Sequence, residues 1–584
     1  MASAKKSKHD FSDVSGRIRK ATAKRVKLYD SIRGKEPTIP FWDIVVISAL
    51  DNAQKEAYEI QLEAKQKRNE IPLGVNYHVF NDPPGPKIGN GGSTIVCIDE
   101  LLKIYGEEKL KTCKTMLAHA GGYSMRMPNA SVLGKVFTPL PWGRPSYQMI
   151  DMLMAMFIEF PANMIPGILL VCPDTFELFN TNGEPCSFTE PGFTALAHPS
   201  PIEVGTTHGV FVLENNSEDM HEDAVVKTKC SRFLHKPSVE KMRENGVVFQ
   251  HDDKEHVYTD SIFFVDWTTA SQLHQAISKL NIDCEICAFG DFLQSLGPDS
   301  SVDYTRNVAN VTKVSPSLIK TREAIYEQLK GTQLNVIILN ESKFYHIGTI
   351  AEYMHHFCLD PVFRYEANSV HEAHVSKTGK YSRSPNTVIP QSTILIHCHK
   401  NLPSHVEACC VLDCCEIGEG ACVEKGCIVS NVSIPEDAEV PENVFVMTVC
   451  VKLEGETGLF VTVGYGTEDD MKKTAAVGEL SKISYVGKPL NEVFSLLGIT
   501  QSDWDMVSLW HARLFPVFKE QAPSVQYTLE VLRALREGGE ISLPSEADTV
   551  GKRRLSMADV LVYKDVKSTL EVREKLREKI QSLK

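Results

Sequence analysis

The sequence predicts an α/β protein: an open sheet with helices, then stacked β-coils, then a helical C-terminal region. Three observations predict it. Short apolar, β-branched runs alternate with helical stretches through the first two-thirds of the chain, the pattern of a sheet covered on its faces by helices. From about residue 388 aliphatic side chains recur at six-residue steps. Beyond Val463 the pattern turns helical and polar. At 584 residues the chain is too long for one core, and two or three domains are expected.

Residues 43–49 (Asp-Ile-Val-Val-Ile-Ser-Ala) predict a central parallel strand, and 53–68 the helix after it. Further strands are expected at 116–118, 167–171, 209–213, 261–265 and 335–339, with helices at 147–160 and 314–329. This order gives an open sheet with a mononucleotide-binding half. The most membrane-like stretch, 149–172, carries Asp151, Glu159, Pro161 and Pro166, which are costly in a bilayer. It reads as a buried helix, a turn and a core strand. In the coil region Val411, Ile417, Val423 and Val429 are six apart; after a five-residue step Ile434, Val440 and Val446 resume the six. Small side chains stand four residues after several of these, at Cys415, Ala421, Cys427 and Ala438. The pattern predicts a short left-handed parallel β-helix with its aliphatics inward. Helices are expected at 490–497, 527–537 and 557–584.

The net charge is −13 and the pI about 5.9, which excludes broad nucleic-acid binding. No secretory signal is visible, and residues 1–35 hold eleven Lys/Arg and three Asp. Val14, Ile18, Ala21, Leu28 and Ile32 make a rough helical stripe there, so residues 1–40 are expected to form a basic leading helix rather than a membrane anchor. Sixteen cysteines in a chain without a visible secretory signal point to free thiols and a cytoplasmic setting. The cluster at 398–427 is poorly spaced for zinc. It is expected to pack the coils, since Cys415 and Cys427 share the phase of Ala421.

Two segments carry chemistry. Residues 119–141 begin His-Ala-Gly-Gly-Tyr-Ser-Met-Arg-Met-Pro. Gly121 and Gly122 permit a tight turn with exposed N–H groups. Arg126 offers a planar fork for phosphate oxygens, and Lys135 a second cation. A strand ending in such a turn is a phosphate site in an α/β sheet, although a plain solvated turn uses the same residues. The second segment, 82–95, reads Asp-Pro-Pro-Gly-Pro-Lys-Ile-Gly-Asn-Gly-Gly-Ser-Thr-Ile. Gly89, Gly91 and Gly92 give another turn, Lys87 lies upstream, and Ser93 and Thr94 are expected to cap a helix over 95–105 whose positive end faces an anion. The spacing is not that of a dinucleotide fingerprint.

The order Gly-Gly, small residue, Arg, Pro, Lys resembles the loop of sugar-nucleotide pyrophosphorylases, with Ser124 where that loop often has Gly. The two segments together resemble the fucose-1-phosphate guanylyltransferases (GDP-L-fucose pyrophosphorylases) and the related bifunctional fucokinase enzymes. The likeness runs from about Phe41 to the stretch Ser-Leu-Trp-His-Ala-Arg-Leu-Phe-Pro that begins at Ser508. It implies a Rossmann-like nucleotidyltransferase domain over 41–385, the β-helix over 386–465 and a mostly helical region over 466–584. It also implies a reaction of GTP with L-fucose 1-phosphate, assisted by Mg2+. Lys87 and the nucleotide-binding residues Gly89, Gly91, Gly92, Ser93, Thr94, Gly121 and Gly122 would hold GTP, and Arg126 and Lys135 would be catalytic. Asp174, after the run 167–173, matches an aspartate that binds magnesium in the resembled enzymes; the alternative is a helix N-cap. Asp266 is a second metal candidate, with Asp260 competing for the role. Lys236, in Phe-Leu-His-Lys-Pro, resembles the lysine of a Glu-Lys-Pro element that contacts the sugar phosphate, with His235 in place of the acid. His208 is a candidate for the sugar pocket or an ordinary structural histidine. Self-association through the β-helix or the C-terminal helices is a further expectation. The competing readings are a β-helix acyltransferase and a non-catalytic regulatory protein on the same fold.

Overall fold

The computed structural model describes residues 12–214, 220, 223–251, 253–280, 282–379, 389–499 and 506–583. The chain divides into two compact units. The first holds Met1–Gly122, Asp151–Tyr345 and Tyr365–Asn368; the second holds Tyr123–Ile150, His346–Arg364 and Ser369–Lys584. This differs from the expected division. The leading helix belongs to the first unit, while residues 123–150, with Arg126 and Lys135, belong to the second. The expected boundary at 385/386 lies outside the described residues.

The first unit is a mixed α/β layer around one ten-stranded sheet. Its strands are β1 (Ile44–Ala49), β2 (Asn76–Asn81), β3 (Lys114–Ala118), β4 (Gly167–Val171), β5 (Thr175–Phe179), β6 (Phe193–Pro201), β7 (Gly209–Leu213), β8 (Val225–His235), β9 (Phe249–His251), β10 (Lys254–Asp266) and β11 (Leu334–Leu339). The order is β2-β1-β3-β4-β10-β6-β11-β8-β7, with β9 on β10 and β5 outside this sheet. β2, β1, β3 and β4 run parallel, whereas β10 lies antiparallel to β4, with Phe263 opposite Leu170 and Asp266 opposite Gly167. Every residue of β1 and of β4 is buried, as expected for strands covered on both faces.

Helix α1 (Asp13–Ile32) is N-capped by Ser12 and buries Ile18, Tyr29 and Ile32; of the expected stripe, Val14, Ala21 and Leu28 are half-buried. Helices α2 (Asn52–Lys67) and α3 (Gly89–Tyr105) follow β1 and β2. Asp151, fully buried, is paired with Lys65 at 2.7 Å and accepts from the Tyr29 hydroxyl at 3.0 Å. A charge in that position persists only because it is paired. Among the described residues no helix is long and apolar enough to cross a membrane.

In the second unit three parallel ladders run side by side. Leu395, Leu412, Val429 and Val446 are in register on the first. Lys400, Ile417 and Ile434 align on the second, and Val406, Val423 and Val440 on the third. One coil therefore advances seventeen residues, as from 412 to 429, and every coil contains one five-residue step. The in-phase residue of the earlier coil is Leu412; Val411 pairs instead with Ile428, which corrects the expected phase. Cys398, Cys410, Cys415, Ala421 and Cys427 are fully buried. The thiols donate to carbonyls fourteen residues on, in the next coil: Cys410 to Glu424 at 3.0 Å, Cys427 to Pro441 at 3.1 Å and Cys415 to Val429 at 3.3 Å. All sixteen cysteines are free. Among the described residues the one group disposed to hold a metal is His355, His356 and Asp360, with no cysteine in it. The sheet then continues antiparallel through Val444–Leu453, Glu456–Gly466, Phe515–Phe518 and Thr549–Leu555. The region expected to be mostly helical thus supplies strands beside its helices Leu490–Leu496, Gln521–Glu537, Met557–Tyr563 and Val566–Ser582.

Candidate functional site

The parallel strands β2, β1, β3 and β4 end at one edge of the first unit, and the two glycine-rich segments meet there. Gly121 lies against the end of β1: a Cβ on it would stand 3.3 Å from the Ala49 carbonyl carbon and the Leu50 nitrogen. Gly122 adopts φ +122°, a conformation that favours glycine. Two side chains of α2 fix this turn. Gln54 accepts from the N–H of Leu50 at 2.7 Å and of Gly122 at 3.3 Å, and donates to the Gly122 carbonyl at 3.0 Å. The Tyr58 hydroxyl donates to the Ala120 carbonyl at 2.9 Å. Gly121 itself is exposed, and its N–H makes no hydrogen bond among the described residues.

His119 joins this turn to the other segment. Its Nε2 lies 3.1 Å from the Thr94 hydroxyl and its Nδ1 3.5 Å from that of Ser48. Burial pushes its pKa down to about 4, so the ring is neutral at physiological pH. Thr94 spends its own proton on the Asn90 carbonyl, which leaves its oxygen to accept from the ring.

The second segment is built differently from the expectation. Helix α3 starts at Gly89, and its N-cap is Ile88. Ser93 and Thr94 lie buried within the helix and do not cap it. Gly89 (φ +71°) and Gly91 let the helix start press on residues 286–288: a Cβ on Gly89 would stand 2.3 Å from the Ile286 carbonyl oxygen, and one on Gly91 2.7 Å from its Cγ2. The Gly91 N–H is committed to the Ile286 carbonyl at 2.9 Å, and Gly92 packs on Ile88. These glycines therefore serve close packing, and the Gly91 N–H is not open to a phosphate. Lys87 is drawn to Glu285 at 2.6 Å and to Thr312 at 3.3 Å on the exposed surface. It is not held toward the turn, contrary to the expectation.

Asp174 sits in the turn between β4 and β5, at the same edge as Gly121. A strand follows it, so it is not a helix N-cap. Asp260 lies toward this edge as well, since β10 runs from it to the opposite one. Its Oδ1 accepts from the Gly209 N–H at 2.7 Å. Burial raises its pKa, and the Gly209 N–H and the charges of His208 and Lys236 hold that rise back. Lys236 donates its backbone N–H to the His208 carbonyl at 3.0 Å, and its side chain is exposed. The His208 ring is held by the Val204 carbonyl at 3.1 Å and packs edge-on against Phe344. Lys236, His208 and Asp260 thus form one cluster.

Asp266 is the correction among the metal candidates. It lies opposite Gly167 at the start of β4, the far edge from Asp174. It caps the helix Trp267–Ile277 through the N–H groups of Thr268 and Thr269, and it also accepts from the Thr269 hydroxyl and the Gly192 N–H. Its oxygens are committed to that helix and to Gly192. In the second unit, Arg126 is exposed and its carbonyl accepts from the Ile350 N–H at 3.0 Å. Lys135 begins a 3-10 turn, Lys135–Phe137, and is half-buried. Sequence reasoning gave no role to Gln54, Tyr58, His119 or Asp82, though His119 and Asp82 head the two segments it singled out.

Residues 107–520 match the fucose pyrophosphorylase domain model. The chain is 39% identical to the human fucose-1-phosphate guanylyltransferase, with 96% of this chain and 94% of that protein covered. It is 37% identical to the mouse fucose-1-phosphate guanylyltransferase over 97% and 98%. A bifunctional fucokinase/GDP-fucose pyrophosphorylase of Arabidopsis thaliana is 25% identical over 83% of this chain and 48% of that protein. The chain belongs to the fucose pyrophosphorylase family.

Proposed function

We propose that this chain is a nucleotidyltransferase of fucose salvage. It joins GTP and β-L-fucose 1-phosphate into GDP-L-fucose and releases pyrophosphate. The observation that carries the reading is the meeting of the two glycine-rich segments at one strand edge, tied through His119 and Thr94. No protein nucleophile is needed: an oxygen of the sugar phosphate attacks the α-phosphorus in line, and the chain aligns two anions and balances their charge. The Gly121 N–H faces the polyphosphate. Arg126 holds the β- and γ-phosphates, and Lys135 stabilises the α-phosphate as charge develops. Lys236 positions the sugar phosphate, and His208 borders the sugar. A magnesium ion, when bound, lowers the cost of bringing the anions together. Asp174 is the residue that would hold it, an oxygen ligand of the kind magnesium takes, with Asp260 on the same edge as a second carboxylate.

In this reading the β2-β1-β3-β4 half is Rossmann-like, the coils of the second unit form a left-handed parallel β-helix, and the enzyme works in the cytoplasm. The coils or the C-terminal helices mediate self-association, which light scattering of the purified chain tests. The activity is tested by a matrix of four nucleoside triphosphates against several hexose 1-phosphates, read as pyrophosphate release. GTP with L-fucose 1-phosphate stands above every other pair; equal turnover across the matrix, or none, defeats the reading.

A further inference from the structure

The outermost strand of the parallel half ends in a carboxylate that the phosphate chemistry does not use. Asp82 follows β2 directly, and its N–H donates to the Ala49 carbonyl at 2.9 Å. Ala49 is also the residue against which Gly121 packs, so the aspartate and the phosphate turn share one neighbour. The Asp82 Oδ1 is buried and has no hydrogen-bond partner among the described residues. Burial pushes its pKa up to about 6, and the nearby Ser93 hydroxyl counters part of that rise. Among the described residues, burial and the Ser93 hydroxyl alone set its ionisation. A partly desolvated carboxylate with a lone pair that accepts no hydrogen bond, at the rim of a ligand edge, is poised for a donor from outside the chain.

The strand order says which part of the ligand that donor belongs to. β3 carries the glycine turn and β4 leads to Asp174, whereas β2 lies beyond β1 on the other side. Strands are spaced about 4.8 Å apart, so Asp82 stands about 14 Å across the sheet from the Asp174 strand, too far to share one metal ion. A bare carboxylate repels phosphate. A nucleotide whose phosphates lie at β3 and β4 extends its base toward β1 and β2. Guanine presents two adjacent donors, N1–H and the N2 amino group, that match the two oxygens of a carboxylate. Adenine offers an acceptor at N1, and uracil a single N–H between two carbonyls.

We propose that Asp82 reads the guanine base of the nucleotide, accepting from N1–H and the N2 amino group. The inference rests on the guanylyltransferase reading and adds the residue that selects the base. A carboxyl torsion is broad and two-fold, so a turn of the group presents both oxygens. The Ala49 carbonyl and Ser93 of α3 hold it in place.

The test is Asp82→Asn, with Asp82→Ser as a second variant, assayed with GTP, ITP and XTP against L-fucose 1-phosphate. Xanthine keeps N1–H but carries a carbonyl at C2, so an amide, with one acceptor and one donor, complements it. The wild-type enzyme prefers GTP to ITP. Asp82→Asn lowers kcat/KM for GTP by about a hundredfold, equalises GTP and ITP, and turns over XTP better than GTP. Asp82→Ser loses the GTP/ITP preference without gaining XTP. Thermal shifts with GDP, IDP and XDP follow the same order, and they read base selection even if the sugar substrate is wrong. An equal loss with all three nucleotides, or a loss that excess magnesium restores, overturns the assignment. Failure of the wild-type enzyme to use GTP with fucose 1-phosphate, beside a GDP shift that depends on Asp82, strikes the substrate reading and leaves the base reading standing.

Discussion

The two edges of the large sheet each carry strand-end aspartates, and they are built for opposite ends. At the edge where β2, β1, β3 and β4 finish, Asp82 keeps an oxygen without a partner and the Gly121 N–H is uncommitted among the described residues. At the other edge Asp266 accepts from two backbone N–H groups of the helix it caps, from the Thr269 hydroxyl and from the Gly192 N–H. The residue type is the same. Strand direction decides the role, because β10 runs antiparallel to β4 and delivers its last residue to the far side. A polar group with all its bonds made holds the fold together, and one with bonds left over is available to a ligand.

Substitutions at the two edges should therefore separate activity from stability. Asp174→Asn is expected to cost the largest amount, about 4 kcal/mol of barrier or roughly a thousandfold in kcat. Turnover per folded molecule at the wild-type level would place Asp174 with Asp266 rather than opposite it. Arg126→Ala and Lys135→Ala, in the second unit, should each lower turnover by about 3 kcal/mol, roughly a hundredfold. Full pyrophosphate release by both variants removes them from the chemistry. Asp266→Ala should do the reverse of Asp174→Asn. It loses a helix cap and strands the Gly192 N–H, for about 2 kcal/mol of stability, while kcat per folded molecule stays at the wild-type level.

The smallest effect is a pH dependence. The charged form of Asp82 accepts from guanine, and its pKa without nucleotide stands at about 6. GTP affinity should weaken as pH falls through that value, because nucleotide binding must then expel a proton. His119, pushed down to about 4, stays neutral over the same range and adds nothing. ITP, which keeps one of the two donors, should show a shallower slope, and Asp82→Asn none. Equal slopes for GTP and ITP break the link to the base.

The same contrast explains what the sequence makes legible. Local pattern finds β1, α2, β4 and β7 within a residue or so, and it finds the six-residue stations of the coils, because burial on a fixed face leaves a fixed period. It misses β6 and β8, where prolines and charges interrupt the apolar signal in Phe193–Pro201 and Val225–His235. It also misses the strands Phe515–Phe518 and Thr549–Leu555, whose partners lie far away in the chain. The two candidate segments were legible as glycine-rich turns, yet the jobs within them were not. Gly89 and Gly91 answer to Ile286, and Lys87 answers to Glu285; both partners are remote in sequence. Asp266 reads as a ligand for the same reason. Its position after an apolar strand is local information, and the direction of that strand is not.

Seating of the nucleotide on the edge that bears the two glycine-rich turns is read by amide hydrogen exchange with and without GTP and magnesium. Exchange is predicted to slow at residues 82–94 and 119–122 and to stay unchanged at 266–277 and in the coils at 394–440. Bound nucleotide that leaves both glycine-rich segments exchanging at their free rates would contradict it.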